Sequence, residues 1–263
     1  MPKPVSGTRE WATSSVNVID GCAHDCRYCY ARATAARFGK NPADWSKEVP
    51  RPHKGVGKRV GTVMFPSSHD ITPENSGDTL PKLLWLLVAG NDVLVVSKPH
   101  LSIVETICKG LVAYQDKILF RFTIGSQDDA VLKLWEPGAP CFQERFDSLQ
   151  HAWRSGFRTS VSMEPLLDTN EDDIVELVHL LEPWVTDSVW LGKMNSAVAR
   201  LVLNGFSDDP VLMSAAKVLV ASQSDRRIRA LYERLKGCPS VKWKESIKKV
   251  VGIDVPAEPG LDV

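Results

Sequence analysis

The sequence predicts an α/β protein built on parallel strands, and three observations carry that reading. Short apolar runs rich in β-branched residues recur six times, each followed by a helical pattern. The alternation is strict, which implies parallel strands joined by right-handed crossovers. Polar and charged residues gather just after the runs, where parallel α/β proteins place their functional groups. Such a series closes into a barrel or stays open as a partial one. Eight units make a complete barrel, and six are present here.

In chain order, Val16–Ile19 is the first predicted strand and leads through a cysteine-rich loop to a helix over Ala31–Phe38. Gly61–Phe65 is the second, followed by a polar loop and the helix Leu80–Ala89. Asp92–Val96 precedes the helix Leu101–Tyr114, and Lys117–Ile124 precedes Cys141–Ser155 after a loop. Arg158–Met163 is followed by Glu171–Leu181, and Ser188–Leu191 by a helix starting near Ser196. Lys40–Lys58, rich in proline, glycine and basic residues, reads as a long exposed loop. The tail holds helices over Val211–Ala221 and Arg226–Lys236 and a short segment, Val241–Val251. The expected division is a barrel over residues 1–207 and a helical C-terminal extension over 208–263 packed on it.

Composition narrows the class. The chain is 43% hydrophobic and 24% charged, ordinary values for a soluble globular enzyme. Its apolar runs all fall well short of the ~20 residues that span a bilayer, so no membrane association is expected. Six sparse cysteines without a signal peptide point to a reducing cytoplasm. The 32 basic and 32 acidic residues cancel, which weighs against a dedicated nucleic-acid binder while leaving room for a local basic patch.

The run Gly21-Cys-Ala-His-Asp-Cys-Arg-Tyr-Cys-Tyr30 sets Cys22, Cys26 and Cys29 in a C-x₃-C-x₂-C spacing. Three thiolates this close can wrap one iron–sulfur cluster, one thiolate per iron, leaving the fourth iron of a cubane open to a substrate or cofactor. A structural zinc site normally takes four ligands, and His24, the nearest fourth, lies inside the tight loop. Plain buried thiols fit poorly with the surrounding Gly, His, Asp and Arg, which favour a loop.

The ends of the later strands carry Pro66-Ser-Ser-His-Asp-Ile-Thr-Pro-Glu74, Ser97-Lys-Pro-His100, Arg121 and Thr123 with Gly125-Ser126, Ser162-Met-Glu-Pro165, and Gly192-Lys-Met-Asn195. Together they predict a deep polar pocket above the sheet. Glu164, at the end of an apolar strand, needs a partner there, for which ribose hydroxyls or Arg121 serve.

The cysteine spacing, with an aromatic before the third cysteine, resembles the radical S-adenosylmethionine (radical SAM) superfamily, and the six units match its partial (β/α)6 barrel. Glu136-Pro-Gly-Ala-Pro140 with Arg145, Asp70…Pro73-Glu74, Ser97-Lys98 and Glu164-Pro165 resemble more narrowly the spore photoproduct lyase and DNA repair photolyase branch and related phage-encoded proteins. The chain departs from the superfamily in lacking a Gly-Gly-Glu run after the second strand. The resemblance implies a [4Fe-4S] cluster on Cys22, Cys26 and Cys29. For S-adenosylmethionine it implies Tyr28 against the adenine, Ser67, Ser68 or Asp70 at the amino group, and Lys98 at the carboxylate or ribose. Thr123 and Ser126 would serve ribose or carboxylate, Glu164 the ribose hydroxyls, and Asn195 the adenine edge.

The implied reaction is reductive cleavage of S-adenosylmethionine to a 5′-deoxyadenosyl radical that abstracts hydrogen from a substrate, with flavodoxin or ferredoxin as reductant. Cys141, at a loop–helix junction, is the candidate for returning a hydrogen atom; Cys108 reads as core packing. Branch resemblance favours a nucleic-acid base or pyrimidine lesion as substrate, whereas zero net charge favours a small molecule or peptide. Arg51-Pro-His-Lys54, Lys58-Arg59, Arg226-Arg-Ile-Arg229 and Lys242-Trp-Lys244 with Lys248-Lys249 are the basic pieces. The last reads either as a stacking and phosphate surface or as a helix face with Trp243 turned inward. The competing class is an iron–sulfur electron carrier or accessory protein that cleaves nothing.

Overall fold

Seven parallel strands form the main sheet of a computed structural model that describes residues 5–52, 55 and 57–260. His53 and Lys54 of the first basic piece lie outside the described residues. In chain order the first half holds β1 (Ser14–Ser15), β2 (Ile19–Asp20), α1 (Tyr30–Arg37), β3 (Val49–Pro50), β4 (Thr62–Phe65), α2 (Ser76–Val88), β5 (Asp92–Ser97), α3 (Leu101–Gly110) and β6 (Ile118–Thr123). Then follow α4 (Asp129–Trp135), α5 (Phe142–Arg154), β7 (Arg158–Met163), α6 (Glu171–Leu181), β8 (Val189–Leu191), α7 (Ala197–Leu203), α8 (Pro210–Ser222), α9 (Asp225–Leu235), β9 (Val241–Trp243) and α10 (Glu245–Val251). The sheet runs β1-β4-β5-β6-β7-β8-β9, while β2 and β3 make a separate antiparallel ribbon. This is the expected α/β partial barrel: β1 and β9 do not pair with each other among the described residues.

Local sequence explains the elements. The Val-Leu-Val-Val run of β5 is a strand covered on both faces, as parallel strands are. In α6, Ile174, Leu177, Val178 and Leu181 follow the helical period and are all buried. The Asn170 side chain caps it by accepting from Asp172 N, and three acids in its first turn suit the helix dipole. Asp209 caps α8 in the same way, with Pro210 at the first helical position.

Four details differ from the sequence reading. The first strand pairs at Ser14–Ser15 instead of Val16–Ile19, although Val16, Val18 and Ile19 are buried. Apolarity there reports burial beneath the sheet, because the backbone turns off the ladder at Asn17, whose side chain binds Ser67 and Ser68. The stretch read as a loop contains β3, and the loop after β6 contains α4, capped by Asp128. The tail, read as a helical extension, is not purely helical: β9 adds a seventh strand, with Val189, Trp190 and Leu191 opposite Val241, Lys242 and Trp243. A three-residue strand with a lysine at its centre carries almost no periodic signal.

Beyond β9, Lys244 is buried and reaches back to the 3₁₀ turn Gly7–Glu10 ahead of β1. Its Nζ lies 2.8 Å from Glu10, 2.9 Å from the Gly7 carbonyl and 3.8 Å from the centre of the Trp11 ring. Trp11 also meets Trp190 edge to face at 5.8 Å. The turn therefore bridges the side of the sheet where β1 and β9 fail to meet. No helix among the described residues is long and apolar enough to cross a membrane.

Candidate functional site

A cavity of about 450 Å³ opens at the carboxyl ends of the strands. Cys22, Cys26 and Cys29 line it together with Tyr28, Ser67, Ser68, Asp70, Lys98, Thr123, Glu164 and Asn195. Two residues expected there lie elsewhere. Ser126 is fully buried and donates to Asp168 Oδ1 at 2.5 Å, and Cys141 is exposed ahead of α5.

The cysteine loop is held by its backbone from several sides. Cys22 N donates to the Trp45 carbonyl at 2.8 Å, and position 21 needs glycine twice over, for its φ of +96° and because a Cβ there would meet the Lys47 and Trp45 carbonyl oxygens within 2.6 Å. Arg27 N donates to the Trp135 carbonyl and Gly138 N to the His24 carbonyl. The Asn204 side chain donates to the Arg27 and Cys29 carbonyls. Asp25, in the left-handed region, binds Arg27 and Arg32, whose guanidinium groups lie over the Phe206 ring. Cys29 caps α1 by accepting from Arg32 N.

The Glu-Pro-Gly-Ala-Pro piece supports this loop. Glu136 and Arg145 form an ion pair at 2.5 Å with no exposed side-chain surface. Tyr28 OH donates to Glu136, and Arg145 donates to the Pro140 and Thr123 carbonyls. Burial pushes the Glu136 carboxyl up, but Arg145 and Lys98 outweigh it and hold the group ionised below its usual range. Tyr28 thus has its hydroxyl committed inside the wall while its ring faces Lys98, whose Nζ is 5.9 Å from the ring centre.

Asp70 is the electrostatic centre. Its Oδ1 accepts from Lys98 N at 2.8 Å; its Oδ2 lies 2.8 Å from His24 Nδ1, 3.5 Å from Lys98 Nζ and 3.8 Å from Cys22 Sγ. His24 Nε2 meets His100 Nε2 at 3.0 Å, and His100 faces Glu144. Burial raises the Asp70 carboxyl, yet Lys98 and His24 hold it well below the carboxylate range. Burial pushes all three thiols up, with Asp70 adding to the rise at Cys22 and Lys98 pulling Cys26 and Cys29 back.

These donors fit a cluster better than a single ion. Cys22, His24 and Asp70 have ligand atoms within 4.8 Å of one another, but both His24 nitrogens are already engaged. A cubane takes one thiolate per iron, so it does not require the sulfurs to converge on a point. Deprotonation on metal binding relieves three thiols that burial otherwise keeps neutral. Among the residues that line the cavity, Ser68 Oγ, Trp45 Nε1 and Trp11 Nε1 are buried without a protein partner.

Glu164 has Lys244 as a partner at 3.3 Å, and Arg121, one of the two partners expected for it, is engaged elsewhere. Arg121 instead binds Ser160 and Asp187 and lies between the Trp11 and Trp190 rings. Trp243 is turned inward against Tyr232, and Lys244 and Lys248 are buried, so the lysine–tryptophan piece presents no continuous basic face. Arg9, Tyr30, Trp45, Lys193 and Arg200 also line the cavity. Lys193 stood within a strand-end run, whereas Arg9 and Arg200 carried no signal, because spacing alone does not show which way a lone arginine faces.

No family model matches the chain. In sequence it is similar to the uncharacterised protein ORF301 of Acidianus two-tailed virus, with 26% identity over 200 residues, 67% of this chain and 63% of ORF301. In structure it is similar to spore photoproduct lyase with bound AdoMet and dinucleoside spore photoproduct, at a TM-score of 0.57 and 14% identity, over 92% of this chain and 78% of that one. It is also similar to Streptococcus suis SuiB bound to precursor peptide SuiA, at a TM-score of 0.53 and 10% identity, over 94% of this chain and 54% of SuiB. Both are radical SAM enzymes, and the fold expected from the cysteine loop and the six units is the fold they share with this chain.

Proposed function

We propose that this protein is a radical SAM enzyme that cleaves S-adenosylmethionine reductively at a [4Fe-4S] cluster held by Cys22, Cys26 and Cys29. The observation that supports it most is one cavity lined by three thiols, two buried and that of Cys29 half-buried, and by polar groups from the ends of the other strands. When bound, the cluster and its cofactor supply a 5′-deoxyadenosyl radical able to abstract hydrogen from an unactivated carbon. The protein's share is binding, orientation and exclusion of water. Lys98 balances Asp70 and the thiolates and offers an ammonium to the carboxylate of the cofactor. Ser68 has its hydroxyl free, whereas Asp70 is already committed to Lys98 and His24, so Ser68 is the better partner for the cofactor's amino group. Glu164, steadied by Lys244, faces the ribose, with Thr123 and Asn195 nearby. Cys141 is exposed outside the cavity, which argues against it as the hydrogen donor.

The test is anaerobic: reconstitute with iron and sulfide, reduce, add S-adenosylmethionine and assay 5′-deoxyadenosine. Turnover that disappears in Cys22→Ala, Cys26→Ala and Cys29→Ala proteins supports the enzyme. A cluster that neither binds nor cleaves S-adenosylmethionine supports the electron-carrier reading instead. Glu164→Gln is expected to weaken S-adenosylmethionine binding about tenfold while leaving iron content intact, the loss of one hydrogen bond to a charged group. A nucleic-acid substrate is proposed on the fold shared with spore photoproduct lyase. It predicts that affinity for DNA or RNA falls as salt rises, and a flat response favours a small molecule or peptide.

A further inference from the structure

A second cleft, of about 560 Å³, lies between α4, α8 and the loop that follows β7, outside the cavity of the cysteines. Its walls are apolar: Val131, Leu134, Trp135, Leu167, Val218 and Leu219. Its charged lining is of one sign, Asp128, Asp168 and Asp173, with no lysine, arginine or histidine among the lining residues. In a chain whose charges sum to zero, that local excess calls for a counter-charge.

Asp128 and Asp173 are exposed at the mouth and occupied, the first capping α4 through Ala130 N and the second accepting from Asn170. Asp168 differs from them. It is 94% buried by its 6% relative exposure, and its Oδ1 accepts from Ser126. Its Oδ2 is buried with no partner. A buried carboxylate oxygen without a donor is costly and is rarely retained without a reason. Burial, with Asp173 and Asp128 nearby, pushes its carboxyl up to about 6, so it is ionised at pH 8 and in need of a cation.

The kind of cation follows from the geometry. A metal ion needs several oxygens converging on a point, and these three aspartates form no such group among the described residues. A guanidinium prefers two parallel acceptors, and Asp168 has one oxygen already taken. An ammonium needs a single acceptor, and the apolar walls suit an unbranched hydrocarbon stem. The volume is that of a small-molecule site.

We propose that the cleft between α4 and α8 is a second ligand site that takes a small primary alkylammonium, its nitrogen on Asp168 Oδ2 and its stem along Trp135, Leu167 and Leu219. The site shares a wall with the cysteine loop, since the Trp135 carbonyl accepts from Arg27 N and its ring lies 6.4 Å from that of Tyr28.

The test is calorimetric titration of the full chain at pH 8 with n-hexylammonium chloride and, separately, with 1-hexanol. Saturable binding of hexylammonium, at least tenfold tighter than hexanol and weakened at least tenfold by Asp168→Asn, supports the site. Equal affinity for the alcohol, unchanged binding to Asp168→Asn, or no saturable binding overturns it. The alcohol comparison uses the unaltered protein, so it decides the matter even if the variant misfolds. No step depends on S-adenosylmethionine turnover, so failure here and failure of the proposed activity are separable.

Discussion

Lys98 and Asp70 hold each other in place where neither is tolerable alone. Both are buried, and the ammonium also faces the thiols of Cys26 and Cys29 and the Tyr28 ring. Removing one partner of a buried pair costs about 3–5 kcal/mol. Lys98→Met is therefore expected to lower the urea midpoint by a matching amount, and an unchanged midpoint would show the pair to be dispensable. Asp168 gives a pH-dependent expectation. Its folded-state carboxyl titrates near 6 against an ordinary value of about 4, so the folded state binds the proton more tightly. Stability from this group is lost as pH rises from about 4 to about 6 and stays lost above. Asp168→Asn should then melt higher than the parent at pH 8, with the difference fading toward pH 4 in scanning calorimetry. Individual residues were legible in proportion to their motif. The cysteines, Lys98 and Glu164 stood in runs that announced them, and all five line the cavity. Ser126 stood in a similar run and does not, because its hydroxyl is spent on Asp168.

At the scale of elements, the turn after α4 matters most to the site. A Cβ on Gly138 would stand 2.4 Å from the Ala23 carbonyl oxygen and 3.0 Å from His24 Cα, both backbone atoms that cannot swing away. Gly138→Ala is expected to cost about 1–3 kcal/mol, as overpacking does, and to lower iron content after reconstitution. Iron analysis beside a thermal melt separates a displaced loop from general destabilisation. Strands with continuous β-branched runs were readable to within a residue or two, β7 and α6 without error. The elements that were not readable are short and depend on distant partners. β3 is two residues long, and β9 has only Val241 and Trp243 to mark it. Their strand character comes from β2 and β8, and no local window contains those partners.

Across the whole molecule, Lys244 couples segments far apart in sequence, with Glu10, Glu164, Gly7 and Trp11 around one ammonium. Lys244→Met should destabilise by about 3–5 kcal/mol and speed amide exchange over residues 7–11 before it affects β5 or β6. Pairing it with Glu10→Gln should cost less than the sum of the single changes. The parallel strands were evident from strict alternation and the partial barrel from the count of six units together with the family resemblance, but the means of bridging its open side was not, since a lone lysine gives no hint of a partner 234 positions earlier, from 244 to 10. That separation sets an order of events during synthesis. The cysteine loop and six of the seven sheet strands leave the ribosome well before residue 241, while the ammonium that ties the turn Gly7–Glu10 to the sheet arrives only with Lys244. A nascent chain at that stage lacks this tie on one wall of the thiol-lined cavity. On the proposed function, cluster insertion is expected on the finished polypeptide, and ribosome-bound intermediates should carry no iron.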